Sequence, residues 1–254
     1  TAGYDSANMP ELGYGNMQRG IRRLIGKTVF RLANVILATS EFSRSELLNN
    51  VGVSADKVKV VYPGFEPTEF DAQTRKEKVA LCVGMIDKFN LVRKGMETFV
   101  RAAKYLPDVT FVLAGKHLDS TADWLKTIAT PNVIIPGYVA DLTKLMLSAS
   151  VIVQVSAHEG FGCAVAEAML CGCIPVVTNR GSLPEVVGDT GVYVPYDDPE
   201  ATASAIHRAL DMDVEVRLRA SKRVREQFLS QYRQKTLYSI LDRVVSQQSS
   251  CARS

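Results

Sequence analysis

The sequence predicts an α/β fold, in which a parallel sheet carries helices on both faces. Two observations lead to this prediction. Short, almost continuously apolar segments alternate along the chain with segments of helical periodicity, which is the pattern of parallel strands buried on both sides. Glycine and proline residues mark the loops between them. Ligands of such sheets bind beyond the carboxyl ends of the strands, so we expect the functional site in those loops.

The N-terminal part of the chain holds a short unit of two strands and a helix. Residues 35–38 predict a strand, the Ser-x-x-Ser pattern at 40–43 opens a helix that runs through Leu48, and residues 58–62 predict a strand that Pro63 ends. Before this unit, apolar residues alternate at helical spacing with basic ones, namely Ile21, Leu24, Ile25, Val29 and Leu32 with Arg19, Arg22, Arg23, Lys27 and Arg31. We interpret the basic residues as a solvated helix face, with contact to a lipid surface as the alternative.

A longer series of alternating elements follows. Strands are predicted at 79–83, 109–114, 133–135 and 151–155, and helices at 96–106, 121–129, 142–149 and 163–170. The loops at the carboxyl ends of the strands are therefore 84–93, 115–119, 137–140, 156–162 and 179–185.

The most informative segment is EGFGCAVAE at 159–167. Gly160 and Gly162 permit unusual backbone dihedrals, and residues 163–170 are good helix formers, so a loop leads into a helix whose unpaired N–H groups suit a phosphate. Glu159 just before the helix and Glu167 inside it can reach one ligand. Glu167 stands among apolar residues, where an unpaired carboxylate is costly, and a ribose diol would satisfy it. The alternative is that both are ordinary solvated residues.

Two further motifs narrow the interpretation. CGCIPVVT at 171–178 predicts a turn into a buried strand, and GSLPEVVGDTG at 181–191 supplies a second glycine-bounded loop. Together with residues 159–167 they closely resemble the donor-binding half of the retaining glycosyltransferases of family 4, which have the two-domain, Rossmann-like GT-B fold. The resemblance runs from about Ala33 to the C-terminus. It implies one GT-B half plus a fragment of the other: residues 1–64 end the acceptor-side N-terminal domain, 65–78 form the hinge, 79–229 bind the donor, and 230–254 form a C-terminal basic helix.

The resemblance also implies roles for single residues. Lys94 would bind a diphosphate oxygen with help from Arg93, because Met85 stands where the family usually has an arginine. Glu159 would face the hexose, Glu167 the ribose, and the loop at 137–139 the base. Catalysis is implied for Glu159, Lys94 and Arg93. The implied donor-binding set is Gly84, Lys94, Gly137, Tyr138, Val139, His158, Glu159, Gly160, Phe161, Gly162, Cys163, Glu167, Gly181 and Ser182. For His158, a packing role is an equal alternative.

The implied reaction is transfer of a hexose from a nucleoside diphosphate sugar to an acceptor hydroxyl, with retention. The acceptor would be a carbohydrate, a lipid-linked sugar or another hydroxyl compound. Lys94 and Arg93 can serve in place of a metal, and we interpret Asp211-Met212-Asp213 as a helix-boundary turn. Two alternatives stay open. One is a nucleotide-sugar-binding subunit without turnover of its own, for which the missing N-terminal half would be a possible partner. The other is a sugar-nucleotide epimerase on the same fold.

Composition excludes several other classes. With 46% hydrophobic and 22% charged residues among 254, the chain is ordinary globular material, and no apolar run is long enough to span a bilayer. We expect a cytoplasmic protein, with a peripheral contact at the inner face of a membrane as an alternative. The five cysteines lack metal-site spacing. Residues 214–254 contain nine basic and three acidic residues. Because no aromatic stacking residues and no known binding module accompany this charge, we expect no binding of nucleic acid.

Overall fold

Two parallel sheets organise the chain. The computed structural model describes residues 3–73 and 75–251, with side chains as far as residue 246. One sheet has two strands, β1 (Ile36–Ala38) and β2 (Val58–Val60). The other has six strands in the order β5-β4-β3-β6-β7-β8, and all its pairings are parallel. This order is that of a doubly wound sheet, whose winding reverses between β3 and β6. The predicted fold class is confirmed.

The strands and helices have the following bounds. The strands of the large sheet are β3 (Glu77–Val83), β4 (Thr110–Ala114), β5 (Val133–Gly137), β6 (Ala149–Gln154), β7 (Ile174–Thr178) and β8 (Val192–Val194). The helices are α1 (Ile21–Leu32), α2 (Glu41–Glu46), α3 (Lys88–Arg93), α4 (Met96–Ala102), α5 (Thr121–Ile128), α6 (Leu142–Ser148), α7 (Cys163–Leu170), α8 (Leu183–Val187), α9 (Pro199–Leu210), α10 (Val214–Gln227) and α11 (Ser230–Cys251).

The large sheet is covered on both faces. Side chains of α4, α5 and α9 pack on one face around Phe99 and Phe111, whose ring centroids lie 5.1 Å apart. Helices α6, α7, α8 and α10 pack on the other face around Leu81 and Met169. Burial on both faces explains why the strands are apolar throughout rather than alternating.

The predicted elements are present with shifted bounds, and one prediction was wrong. The segment 84–93 is not only a loop, because it contains α3. Asp87 caps that helix by accepting a hydrogen bond from the Asn90 backbone N–H at 2.8 Å. The helix predicted at 96–106 ends its α-helical part at Ala102 and continues as one 3₁₀ turn.

Helix α1 turns its apolar residues towards solvent. Ile21 is 73% exposed and Leu32 79%, whereas Phe30 is buried and Gly26 lies against Met17. The helical spacing predicted for this segment is present, and its outer face is apolar as well as basic. Among the described residues, no helix is both long and apolar enough to cross a membrane.

The C-terminal helices return to the hinge. The Phe65 N–H donates to the Phe228 carbonyl at 2.9 Å, and the Ser230 N–H donates to the Phe65 carbonyl at 3.0 Å. Phe228 and Phe161 pack edge to face at 5.2 Å. The proposed division at 64, 78 and 229 stays a prediction. Residues 1, 2, 74 and 252–254, and with them Arg253 of the basic segment, lie outside the described residues.

We expect Phe228→Ala to lower the free energy of unfolding by about 3–5 kcal/mol, because the ring is 1% exposed and packs edge to face on Phe161 in the loop after β6. Urea denaturation measures this change. Tyr238→Ala is the matched control, since that ring is 66% exposed and its removal should cost no more than about 0.5 kcal/mol. Equal losses in the two variants would contradict the proposed packing role of Phe228.

Candidate functional site

The candidate site lies where the winding of the large sheet reverses. The segment between β3 and α4 carries Arg93, the last residue of α3, and Lys94, and the loop after β6 carries Glu159. Since β3 and β6 are neighbours, the two loops meet at the carboxyl edge of the sheet. A doubly wound sheet forms its ligand crevice at this point.

Glu159 is a buried carboxylate that is paired with cations. Its residue is 8% exposed, and its Oε1 accepts hydrogen bonds from Lys94 Nζ at 2.6 Å and Ser156 Oγ at 3.2 Å. Arg93 Nη1 lies 3.6 Å from the same oxygen. Burial alone would raise the pKa of this carboxyl, but the charges of Lys94 and Arg93 and the two hydrogen bonds outweigh it and lower the pKa. Glu159 is therefore ionised at neutral pH.

Gly181 and Ser182 hold the backbone of Glu159. The Ser182 N–H and Oγ both donate to the Glu159 carbonyl, at 3.1 and 3.0 Å. Gly181 has a φ of 61°, and a Cβ there would lie 2.7 Å from that carbonyl oxygen, so only glycine fits. Ser182 is fully buried. Both residues support the loop that carries Glu159, and their predicted contact with the donor stays a prediction.

Lys94 faces a cavity beside α7. Its aliphatic stem lies on Gly84, where a Cβ would come within 2.9 Å of Lys94 Cδ. The cavity has a volume of about 260 Å³ and is lined by Thr39, Pro63, Lys94, Gln154, Glu159, Gly160, Phe161, Gly162, Cys163 and Ala164. Gly162, with a φ of 95°, precedes the first turn of α7. The cavity thus combines one lysine, one carboxylate and a helix N-terminus, which suits an anion with attached hydroxyl groups.

Phe161 lines this cavity, and its side chain also packs towards the preceding segment of the chain. The residue is 4% exposed and its ring is stacked at 5.9 Å on Phe65, so it fixes the loop after β6 against the segment 65–78. The sequence prediction for Phe161, Gly162 and Cys163 concerned their backbone N–H groups, and these residues do line the cavity.

Arg93 is held more tightly than the sequence suggested. Its Nη1 donates to the His158 carbonyl at 3.1 Å and its Nη2 to Asn90 Oδ1 at 2.7 Å, and Tyr14 covers the guanidinium at 5.2 Å. The side chain is 13% exposed and does not line the 260 Å³ cavity. The predicted contact of Arg93 with the diphosphate stays a prediction.

Glu167 lies on the exposed side of α7, one turn beyond Cys163. The sequence predicted a carboxylate crowded by apolar neighbours, but those neighbours are buried and Glu167 itself is exposed. Partial desolvation raises the pKa of its carboxyl group, and this carboxylate has no hydrogen-bond partner among the residues described.

A second cavity of about 550 Å³ lies beside Glu167. It is lined by Gly64, Phe65, Glu66, Thr68, Ala140, Asp141, Leu142, Thr143, Met146, Glu167, Leu170 and Cys171. Glu167 is thus open to a ligand.

The loop after β5 borders the same edge of the sheet. Gly137 has a φ of 82°, and its carbonyl accepts a hydrogen bond from Gly115 at 2.9 Å. Tyr138 is 76% exposed, and Val139 packs on the core beneath α6 and α7. The predicted contact of this loop with a base stays a prediction.

His158 faces away from the cavity. Its ring is 2% exposed between Tyr14 and Phe42, and its Nε2 lies 3.0 Å from Glu46 Oε1. In this arrangement the imidazole packs against Tyr14, Phe42 and Glu46. A contact of His158 with the donor stays a prediction.

The sequence analysis missed the contacts that join the N-terminal unit to this site. Hydroxyls of Thr39, Ser40 and Ser43 lie 2.7–3.2 Å from the Gly160 carbonyl. The Glu185 carboxylate accepts from the Glu41 N–H at 2.9 Å at the start of α2. The Ser-x-x-Ser pattern indicated the start of this helix but not its partner, which lies about 120 positions away.

Three buried polar atoms in the described part of the chain have no hydrogen-bond partner: Arg93 Nε, His117 Nε2 and His158 Nδ1. Arg93 ends α3, and the two histidines lie in loops at the carboxyl edge of the sheet. Buried polar groups without a partner are rare in folded proteins, and a water molecule or a ligand can satisfy them.

Metal-ligating groups do not cluster in the residues 3–73 and 75–251 as far as their side chains are described. Asp211 pairs with His207 at 3.2 Å, and Asp213 caps α10 by accepting from the Val216 N–H at 3.2 Å. The Asp-x-Asp pattern is thus the helix boundary that we expected.

Comparison with known proteins agrees with the geometry. The family described as "Glycosyl transferases group 1" matches residues 77–212. The O-antigen chain mannosyltransferase B of Escherichia coli is 30% identical over 204 residues, which are 71% of this chain and 52% of that protein. The MMP alpha-(1->4)-mannosyltransferase of Mycolicibacterium hassiacum is 29% identical over 218 residues, or 81% of this chain and 50% of that protein. The chain spans about half the length of the curated relatives it matches.

Solved structures show the same fold. Anabaena Alr3699/HepE in complex with UDP and glucose superposes with a TM-score of 0.76 at 21% identity, over 87% of this chain and 66% of that one. The sucrose-phosphate synthase of Thermosynechococcus elongatus superposes with a TM-score of 0.78 at 21% identity, over 97% of this chain and 66% of that one.

We expect Glu159→Gln to flatten the pH dependence of stability in acid. The folded-state pKa of Glu159 lies below that of the unfolded chain, about 4.3, so its ionised form stabilises the fold above that pH. This stabilisation is lost as the pH falls through the folded-state value. Urea denaturation between about pH 3 and 6 should give a steeper slope for the wild type than for the variant. Parallel slopes would show that the ion pair with Lys94 does not lower the pKa of the Glu159 carboxyl.

Proposed function

Because this chain belongs to the group 1 glycosyl transferases, as the resemblance of its motifs indicated, we propose that it binds a nucleoside diphosphate sugar and serves a retaining hexosyltransferase. The Lys94–Glu159 ion pair carries this proposal, because it lines a cavity at the N-terminus of α7. Since the chain spans about half of its relatives, donor binding is proposed for this chain and transfer for the whole protein.

The cavity beside α7 would hold the diphosphate and the hexose. Negative charge grows on a diphosphate as it leaves, and fixed positive groups stabilise it where it develops. Lys94 and the first turn of α7 are such groups. When Lys94 turns to a phosphate oxygen, Glu159 is released to accept hydrogen bonds from sugar hydroxyls. Membership of the family supports transfer from a nucleotide sugar, and the hexose and the retained configuration belong to the proposal.

The nucleoside would lie towards Glu167. This carboxylate is open to the 550 Å³ cavity, on the same side of α7 as Cys163, which lines the smaller cavity. A ribose diol can donate two hydrogen bonds to a carboxylate, and the loop at 137–139 borders the same edge. A nucleoside at this place would bring its diphosphate towards Lys94.

A thermal-shift panel of UDP-, GDP- and ADP-sugars tests the proposal. A ligand at a hundred times its dissociation constant adds about 2.7 kcal/mol to the free energy of unfolding and raises the melting temperature. Sugar phosphates without a nucleoside serve as controls. The absence of any shift at millimolar nucleotide sugar would refute donor binding by this chain.

We expect Glu167→Ala to weaken the nucleotide and the nucleotide sugar alike, by about 1.5–3 kcal/mol for lost hydrogen bonds to a charged group. Glu159→Ala should weaken only the nucleotide sugar, because its partners belong to the hexose. Isothermal titration with the free nucleoside diphosphate and with its sugar separates the two effects. Unchanged binding of the free nucleotide by Glu167→Ala would remove this residue from the ribose site.

We expect donor affinity to be independent of divalent metal, because Lys94 and the start of α7 would neutralise the diphosphate. Titrations in EDTA and in Mg²⁺ or Mn²⁺ should give dissociation constants within about twofold, less than 0.5 kcal/mol. A tenfold loss in EDTA would show that a metal takes part, and a pyrophosphate titration under the same conditions controls for metal bound by the ligand alone.

A further inference from the structure

Arg93 and Lys94 are neighbours in sequence but have opposite surroundings. Lys94 Nζ donates to Glu159 Oε1 at 2.6 Å, its one side-chain partner among the described residues, and the residue lines the 260 Å³ cavity. Arg93 lies outside that cavity, 3.6 Å from the same oxygen. One carboxylate oxygen is therefore shared by a cation that can move and a cation that is confined.

Helix α3 and its N-cap hold the Arg93 side chain from one side. Asn90 accepts from Arg93 Nη2 at 2.7 Å and is itself held by Asp87, whose Oδ2 accepts from Asn90 Nδ2 at 2.7 Å. On the other side, the His158 carbonyl accepts from Arg93 Nη1 at 3.1 Å, and the Ala157 N–H donates to the Arg93 carbonyl at 2.8 Å. The planar guanidinium is thus anchored in a fixed orientation.

The N-terminal segment closes this arrangement. The Tyr14 ring, 5% exposed, lies 5.2 Å from Arg93 Cζ and 4.9 Å from the His158 ring. Burial raises the pKa of Tyr14 to about 12, so the ring that covers the cation is neutral. Glu46 binds His158 Nε2 at 3.0 Å through one oxygen and Ser6 Oγ at 3.2 Å through the other. Tyr14 lies before α1, and Glu46 is the last residue of α2.

We propose that Tyr14 and Glu46 are positioning residues of the donor site, which hold Arg93 and His158 so that Arg93 remains the resident counter-ion of Glu159 when Lys94 moves to the donor diphosphate. This inference rests on the proposed donor binding. It assigns the diphosphate to Lys94 and gives Arg93 a different task.

The physical reason is the burial of Glu159. If Lys94 left and no other cation remained, an ionised carboxylate would stay buried without a partner, which is strongly unfavourable. Lys94 would then be held in place and the diphosphate would lose its cation. A fixed Arg93 removes this conflict. Tyr14 precedes α1 and Glu46 ends α2, so both lie in the part of the chain before β2. Packing of that part against the large sheet makes the donor site competent.

The first test uses a suppressor. We expect Tyr14→Ala and Glu46→Ala each to weaken the free nucleoside diphosphate at least fivefold by isothermal titration, and Tyr14→Phe and Glu46→Gln to bind as the wild type. In a Glu159→Gln background, no carboxylate needs a cation, so Tyr14→Ala should change affinity less than twofold. A loss that persists in that background would overturn the proposal, because Arg93 would then act on the phosphate itself or the loop would simply be disordered. No loss in either alanine variant would also overturn it.

The second test needs no ligand. Lys94→Ala imitates the departure of Lys94, and carbon-detected NMR titration follows the Glu159 carboxyl. We expect it to titrate below the ordinary glutamate value of about 4.3 in Lys94→Ala, and above it in Lys94→Ala combined with Tyr14→Ala. Equal titration in the two variants would overturn the resident counter-ion. Thermal melting checks that each variant is folded. If the wild type binds no nucleotide, donor binding fails, and this titration still decides the role of Arg93.

Discussion

A buried ionised carboxylate is the constraint on which the arrangement of the site depends. Glu159 can stay charged at 8% exposure only because Lys94, Arg93 and Ser156 surround its Oε1. Removing one partner from a buried pair of this kind typically costs about 3–5 kcal/mol, far more than a surface ion pair contributes. Several residues at the carboxyl edge therefore support this group. Gly84 leaves room for the lysine stem, and Ser182 holds the backbone that carries the carboxylate.

The same constraint links the N-terminal unit to the donor side. The loop that carries Glu159 also presents the Gly160 carbonyl, and hydroxyls around the start of α2 surround that carbonyl. In the opposite direction, Glu185 from α8 accepts from backbone N–H groups at the start of α2, where a negative charge is favoured by the helix dipole. The two contacts are reciprocal, because each unit satisfies polar groups of the other. Movement of the N-terminal unit away from the large sheet would expose the loop after β6 and the start of α2 together.

The sequence predicted the fold more completely than the site because periodicity reports burial and not the identity of a partner. Strands buried on both faces are apolar throughout, so the large sheet could be read from segments such as 109–114 and 151–155. Glu159 and Lys94 were expected in one site from the motifs. The pairing of His158 with Glu46 spans 112 positions, and no local pattern connects the two residues. Arg93 was expected beside the diphosphate because Met85 stands where the resembled family usually has an arginine. Its contacts with Asn90, the His158 carbonyl and Tyr14 were not predictable from any local pattern.

Because residue 85 is a methionine and not an arginine, Lys94 is the more important cation of the proposed donor site. Met85 is 56% exposed and uncharged, and Arg93 is confined outside the cavity, so among the residues that line the cavity Lys94 is the cation. A lysine is a compact charge on a flexible stem, whereas an arginine holds its partner through a rigid fork. On the proposal made for Arg93, this difference decides the roles. The rigid cation suits the carboxylate that must stay in place, and the flexible one suits a diphosphate that arrives and leaves. Exchanging the two residue types would place the mobile charge on Glu159 and the fixed one at the ligand, which is the wrong arrangement for turnover.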